Sequence, residues 1–260
     1  MSSSGILVDY QNEIAIVKLN NPSRANALSR FLVEDLAYHV DILAKNQTLR
    51  AVVFSAGESK AFCAGADLKE RQTMNEIEIV SYVELLRETF HQIAGLPMPT
   101  IAAIKGLALG GGCELALACD LRVMEEDALI GLTEVSWGII PGAGGTQRLS
   151  QLVGVAKAKE LIFTARKLRA DEAEKIGLIE QVCHVGESEK KALELAGEIA
   201  KNAPVAVRLS KAAIHSYEAD HLENGLKAEW SYYQQTIPTR DRLEGLAAFR
   251  EKRLPIYTGE

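Results

Sequence analysis

The chain has 260 residues, 47% of them hydrophobic and 25% charged, with a formal net charge of -6. That length and composition support one large domain, or a core with a smaller appendage, and exclude a disordered chain. The acidic balance argues against a global nucleic-acid-binding surface, and the four cysteines (Cys63, Cys113, Cys119 and Cys183) show neither a CxxC pair nor zinc spacing, so no metal site is expected and a reducing compartment fits.

The start, MSSSGILVDYQNEI, has neither a basic n-region nor a long apolar h-region, so no secretory signal is expected. A bacterial cytoplasm is the expected compartment; a processed mitochondrial matrix protein would look the same. The alternation over Ile14–Leu19 predicts a strand. Leu28, Leu32, Leu36 and Val40 recur every four residues and predict a helix, with Ser29 as its cap. Ala51–Phe54 predicts a short buried strand. It leads into AFCAGADLKE (Ala61–Glu70), where Gly65 permits an unusual backbone angle and Asp67 can cap a helix. Backbone N–H groups of such a turn can bind an anion or a polarised oxygen; a plain capped turn would have the same sequence. Glu76–Ile93 has helical spacing, and Pro97 and Pro99 end it.

Thr100–Leu107 predicts a further buried strand. The apolar run Ile101–Cys119 is long enough to span a membrane on count alone. It contains Lys105, Glu114 and four glycines (Gly106, Gly110, Gly111 and Gly112), so a buried strand, a tight turn and a buried helix fit it better, and no membrane partner is expected. The three consecutive glycines are a poor choice for stability unless a ligand approaches the backbone closely. The helix after them would offer free N–H groups and its positive dipole end to that ligand, with Glu114 in its first turn. A carboxylate among Leu, Ala and Cys is costly unless it is used. Leu121–Met124 predicts another strand, and Glu134 then precedes a second glycine cluster, GAGGT. That cluster is neither a phosphate-binding P-loop nor GxGxxG, because no Lys follows and Gln147 takes the last glycine's place. Two carboxylates, each beside a glycine-rich turn, predict a paired acid/base site. No GxSxG elbow occurs, nothing pairs with Cys63 as a base, and the histidines lie near no nucleophile motif.

Strands alternating with helices predict an α/β domain over residues 1–153. After about Leu149 only helical patterns follow: Ala156–Phe163, Ala170–Ile176, Ser188–Ala200, Pro204–His215, Leu222–Tyr233 and Thr239–Lys252. A boundary near Gly154 is therefore expected, with residues 154–260 forming an α-helical region that buries part of its surface against another subunit.

NNPSRANALS (Asn20–Ser29), AFCAGADLKE, GLALGGGCELALACDLRV and the span from Glu134 to GAGGTQRL together resemble the enoyl-CoA hydratase (crotonase) family over nearly the whole chain. The tail QTIPTRDRLEGLAAFREKR is similar to the branch that contains methylglutaconyl-CoA hydratase. The resemblance implies a spiral of ββα units, then a C-terminal helical region that builds homotrimers, often paired into hexamers, and closes the acyl-CoA site. It implies that the backbone N–H groups of Ala66 and Gly111 form an oxyanion hole for the thioester carbonyl, and that Glu114 and Glu134 flank a water molecule. It places Ala64, Asp67, Leu68 and Lys69 on the stretch that contacts CoA, Gly142 where an N–H helps to hold the water, and Arg24 near the CoA phosphates. CoA is then part of the substrate and no separate cofactor is implied. The expected reaction is syn addition of water to a 2-enoyl-CoA, with Glu114 as base and Glu134 protonating Cα. Both carboxylates favour hydration over double-bond isomerisation, which manages with one; a thioester hydrolase or decarboxylase on the same scaffold is the other alternative. The branch also includes an RNA-binding relative. Its basic helix corresponds here to Lys69–Gln92, where Lys69, Arg71 and Arg87 face Glu70, Glu76, Glu78, Glu84 and Glu88, a net charge of -2 that points away from RNA. Leu85, Leu86, Trp137 and Ile139 are candidates for the acyl wall, and the acyl group itself stays open.

Overall fold

Two sheets organise residues 5–256, the part of the chain that the computed structural model describes. The larger contains β1 (Ile6–Gln11), β2 (Ile14–Leu19), β3 (Ala51–Ser55), β4 (Thr100–Ile104), β6 (Leu121–Glu125) and β9 (Gln181–Cys183) in the order β1-β2-β3-β4-β6-β9. The β1–β2 pair is antiparallel, and every later pairing in this sheet is parallel. A second sheet joins β5 (Leu107–Leu109), β7 (Leu129–Gly131) and β8 (Leu168–Arg169). The helices are α1 (Arg30–Lys45), α2 (Leu68–Arg71), α3 (Glu76–Ala94), α4 (Gly111–Ala118), α5 (Gly145–Val153), α6 (Val155–Phe163), α7 (Ala170–Lys175), α8 (Ser188–Ala200), α9 (Pro204–Thr236) and α10 (Arg240–Glu251).

The parallel strands explain the continuous apolar runs. All of β3 is buried, and its alternating side chains feed two cores. Val52 and Phe54 join the main core with Phe62, Tyr82 and Phe90. Ala51 and Val53 face a smaller cluster closed by Ala192 and Ala196 of α8. The Ser29 side chain accepts from the Leu32 N–H at 3.2 Å and starts α1 as its sequence predicts.

The expected strand Thr100–Leu107 is two strands in two sheets. The break is Gly106, at φ +59°, where a Cβ would lie 2.1 Å from the Lys60 carbonyl oxygen. The chain thus steps from the large sheet (β4) to the small one (β5) and into α4, and β6 and β7 repeat the step before a 3-10 turn at Glu134–Trp137. The sheets also continue past Gly154. The two-residue β8 and three-residue β9 complete them from within the region expected to be wholly helical; both are too short to show a period. Pro204–His215 and Leu222–Tyr233 belong to one helix, α9, since no proline separates them.

A polar cluster fastens α9 to the sheet. The Asp120 carboxylate accepts from the Thr100 N–H at 2.7 Å and from Lys211 Nζ at 2.7 Å, with His215 Nε2 3.6 Å away. Burial pushes Asp120 up, but His215, Lys211 and the Thr100 N–H more than offset this and hold its carboxyl below the ordinary value. A carboxyl lowered in the folded state contributes stability above its unfolded pKa and loses it as pH falls through the folded one. Asp120→Asn should therefore cost about 3 kcal/mol at pH 7, because it strands a largely buried ammonium. The gap to wild type in urea unfolding should narrow below about pH 5.

Candidate active site

The stretch Cys63–Asp67 is held by backbone on both sides. Cys63 N donates to Leu107 O at 2.9 Å and Leu109 N to Cys63 O at 3.1 Å, which pins the loop to β5. Leu28 N donates to Gly65 O at 2.8 Å and Asp67 N to Leu28 O at 3.1 Å, which pins its other edge. Gly65 takes the left-handed angle expected of it, φ +97°. The Asp67 side chain caps α2, accepting from the N–H groups of Lys69 (3.1 Å) and Glu70 (3.2 Å). Its second oxygen forms an ion pair with Arg24.

These bonds leave the Ala66 N–H between two engaged neighbours without an acceptor among the described residues. The same holds for the N–H of Gly111, the first residue of α4. The two are neighbours: a Cβ on Gly111 would lie 3.8 Å from Ala66 N, and one on Gly65 would lie 3.6 Å from Gly111 N. Gly112 permits the approach, since a Cβ there would fall 2.1 Å from the Cys63 carbonyl oxygen.

Glu114 lies in the first turn of α4 and is 3% exposed. Its Oε1 accepts from the N–H groups of Ala143 at 2.8 Å and Gly145 at 2.9 Å, so the second glycine cluster fixes the carboxylate. Backbone donors of this kind stabilise a negative charge. Glu134 opens the 3-10 turn and is buried. Its Oε1 sits 3.3 Å from where a Cβ on Gly110 would be, which brings it beside the start of α4.

A cavity of about 80 Å³ collects these groups. Of the residues singled out by sequence, Ala64, Ala66, Leu68, Gly111, Glu114, Glu134 and Gly142 line it, with Leu86, Trp137 and Ile139 of the acyl-wall candidates. Leu85 does not; it packs partly buried against the main core, one residue round α3 from Leu86. Arg24, Asp67 and Lys69 also lie off the cavity. Arg24 and Asp67 engage each other, and Lys69 is exposed. The Gly142 N–H has no acceptor among the described residues. Burial pushes the Cys63 thiol up to about 12, so it is no nucleophile at neutral pH.

Two ionisable cavity residues escape the sequence reading. Arg71, counted there among the charges of a basic stretch, is 6% exposed and lines the cavity. Tyr233 reaches it from α9, and Arg71 Nη2 donates to the Tyr233 hydroxyl at 2.5 Å. Burial pulls the Arg71 pKa down, but Tyr233, Tyr82 and Glu134 more than offset this and leave it raised. A charged residue with no apolar periodicity around it carries no burial signal of its own, and a partner 162 positions away cannot be read from order. The Trp137 ring meets Phe249 of α10 edge-on at 5.3 Å, so the C-terminal helices help wall the cavity.

A profile of the enoyl-CoA hydratase/isomerase family matches residues 9–260. A putative enoyl-CoA hydratase/isomerase of Bacillus subtilis is 49% identical over 255 residues, covering 98% of each chain. Human mitochondrial methylglutaconyl-CoA hydratase is 47% identical over 258 residues, covering 98% of this chain and 76% of that protein. The crystal structure of an enoyl-CoA hydratase from Bacillus anthracis superposes with a TM-score of 0.81 at 49% identity, covering 98% of this chain and 100% of that one.

Proposed function

The chain belongs to the enoyl-CoA hydratase/isomerase family, and from that premise we propose that it adds water across the double bond of a 2-enoyl-CoA through Glu114 and Glu134. The observation that carries this reading is that both buried carboxylates line the same cavity as the Ala66 and Gly111 N–H groups. Water addition places negative charge on the thioester oxygen. Two fixed N–H donors stabilise that enolate-like state, and one such donor is worth about 3 kcal/mol. Glu114, oriented by Ala143 and Gly145, takes the proton from water as its oxygen attacks C3. Glu134, protonated at the outset, delivers its proton to C2; the electron pair of the enolate forms the C2–H bond, which completes a neutral 3-hydroxyacyl-CoA and leaves Glu134 ionised and Glu114 protonated. The Gly142 N–H, just before the segment that holds Glu114, would orient the water. Ala64 and Leu68 border the cavity where the CoA arm would enter.

Mixing the protein with crotonyl-CoA and following the loss of the conjugated thioester absorbance tests this directly. Steady loss with 3-hydroxybutyryl-CoA as product is expected. No loss, together with conversion of a 3-enoyl-CoA to its 2-enoyl isomer, would replace hydration with isomerisation. The family resemblance further supports a homotrimer or a hexamer, which light scattering on the purified chain would weigh, and a bacterial cytoplasmic setting. Among the described residues no helix is long and apolar enough to cross a membrane.

A further inference from the structure

The loop that grips Glu114 is itself held by a buried arginine. Arg148 lies one turn into α5 and is 5% exposed. Its Nη1 donates to the Ala143 carbonyl oxygen at 2.9 Å, and its backbone N–H donates to the Gly144 carbonyl oxygen at 2.9 Å. The peptide units on either side of the Ala143 carbonyl supply the N–H groups of Ala143 and Gly145, which meet the same Glu114 Oε1 at 2.8 and 2.9 Å. Two N–H groups flanking a left-handed residue form a concave nest for an anion. Gly144, at φ +102°, is that residue, and a Cβ on it would lie 2.1 Å from Arg148 Nη1. The glycine thus supplies the angle and leaves the guanidinium its place. Were the Ala143 carbonyl to turn, the N–H groups beside it would turn away from Glu114. Arg148 does not line the cavity that holds the two carboxylates; it borders a separate space with Leu117, Cys119 and Leu226. It reaches the loop from outside the cavity, while Glu114 meets the loop from within.

We propose that Arg148 is a positioning residue for the base: by fixing the Ala143 carbonyl it keeps the Ala143 and Gly145 N–H groups on Glu114 and so holds that carboxylate ready for the attacking water. This role rests on the hydratase reading, in which Glu114 takes the proton. Methionine would fill the same length without the cost of desolvating a cation, but it could not donate to the loop. N–H donors favour the ionised form of a carboxyl, so a loosened nest leaves Glu114 protonated at a higher pH and less often fit to act as a base. The other titratable groups facing Glu114 are Glu134, Arg71 and Tyr233 in the cavity and Cys113 beside it on α4. None of them bonds to Arg148 in the hydrogen bonds described above, so a change in the titration of Glu114 on replacing Arg148 is expected to come through the loop.

Turnover and hydrogen exchange on the full-length chain test this separately. In Arg148→Met, kcat for crotonyl-CoA should fall at least tenfold with KM nearly unchanged, and the acid limb of kcat/KM should move to higher pH by about one pH unit. Arg148→Lys, which keeps one donor, should fall between. In a Glu114→Gln background the same Arg148→Met change should lower kcat by less than threefold, because the arginine acts through the carboxylate already lost. By mass spectrometry, the peptide over residues 141–147 should exchange its amide hydrogens at least tenfold faster in Arg148→Met. A folded Arg148→Met with a wild-type acid limb would overturn the inference, and so would equal losses in the two backgrounds. If Arg148→Met does not fold, an unmoved acid limb and unmoved exchange in Arg148→Lys would overturn it, and a partial shift in both would support it. A wild-type chain that leaves crotonyl-CoA untouched would sink the hydratase reading, and the exchange rates would still decide whether Arg148 fixes the loop.

Discussion

Glu114→Gln should lower kcat for crotonyl-CoA hydration by about a hundredfold to ten-thousandfold, the usual worth of a positioned acid or base. The amide keeps the volume of the acid, so the buried position is filled as before. Its oxygen can still accept from the Ala143 and Gly145 N–H groups that now hold Oε1. What it cannot do is accept the proton of the attacking water. KM should change much less than kcat, because neither of the N–H donors proposed for the thioester is disturbed. Glu134→Gln should lose a comparable factor through the other proton. The pair should be far from additive when combined, since each step is useless without the other. Thermal unfolding of each variant separates loss of chemistry from loss of fold. Activity within threefold of wild type in either variant would end the two-carboxylate mechanism.

Gly112→Ala should cost more than about 3 kcal/mol and abolish activity, at the upper end of what overpacking does. The new methyl would meet the Cys63 carbonyl oxygen at 2.1 Å and the Cys63 carbonyl carbon at 2.8 Å. Both are backbone atoms, so no side chain can rotate to make room. The start of α4 must retreat from the Cys63–Asp67 loop, and the N–H groups of Gly111 and Ala66 separate with it. Gly197→Ala in α8 is the matching control. Nothing lies within 4 Å of that position, and the substitution should raise stability by about 0.5–1 kcal/mol through helix propensity alone. Urea denaturation midpoints of the two variants should therefore move in opposite directions.

Much of the site is legible before any coordinates because its chemistry shows as misplaced residue types. Glu114 stands out as a carboxylate in an apolar run, and Gly110, Gly111 and Gly112 as a costly triplet before a helix. Asp67 is legible as a cap for the same reason that Ser29 is: a short oxygen-bearing side chain precedes the helix it serves. The ends of the sheets are not legible. β8 has two residues and β9 three, and a period cannot be read from so few; they form because edges of the existing sheets accept them. The switch at Gly106 is hidden for another reason, since residues on both sides of it are apolar and only the Lys60 backbone, distant in sequence, forces the turn. Arg71 and Tyr233 are invisible as a pair because 162 positions separate them and Arg71 sits in a stretch of ordinary surface charge.

In the proposed reaction the donors to the reacting oxygen belong to the main chain, and this separates the history of the scaffold from the history of its chemistry. No side-chain replacement at position 66 can delete an N–H, except to proline. A lineage can thus rewrite the loop around Ala66 and still polarise a thioester. What it cannot change are positions such as Gly112, where a single added carbon would push the two strands of backbone apart. The tightest steric constraint at this loop falls where there is no side chain at all. New reactions can be gained by altering carboxylates and pocket walls, while the means of activating the carbonyl is inherited intact.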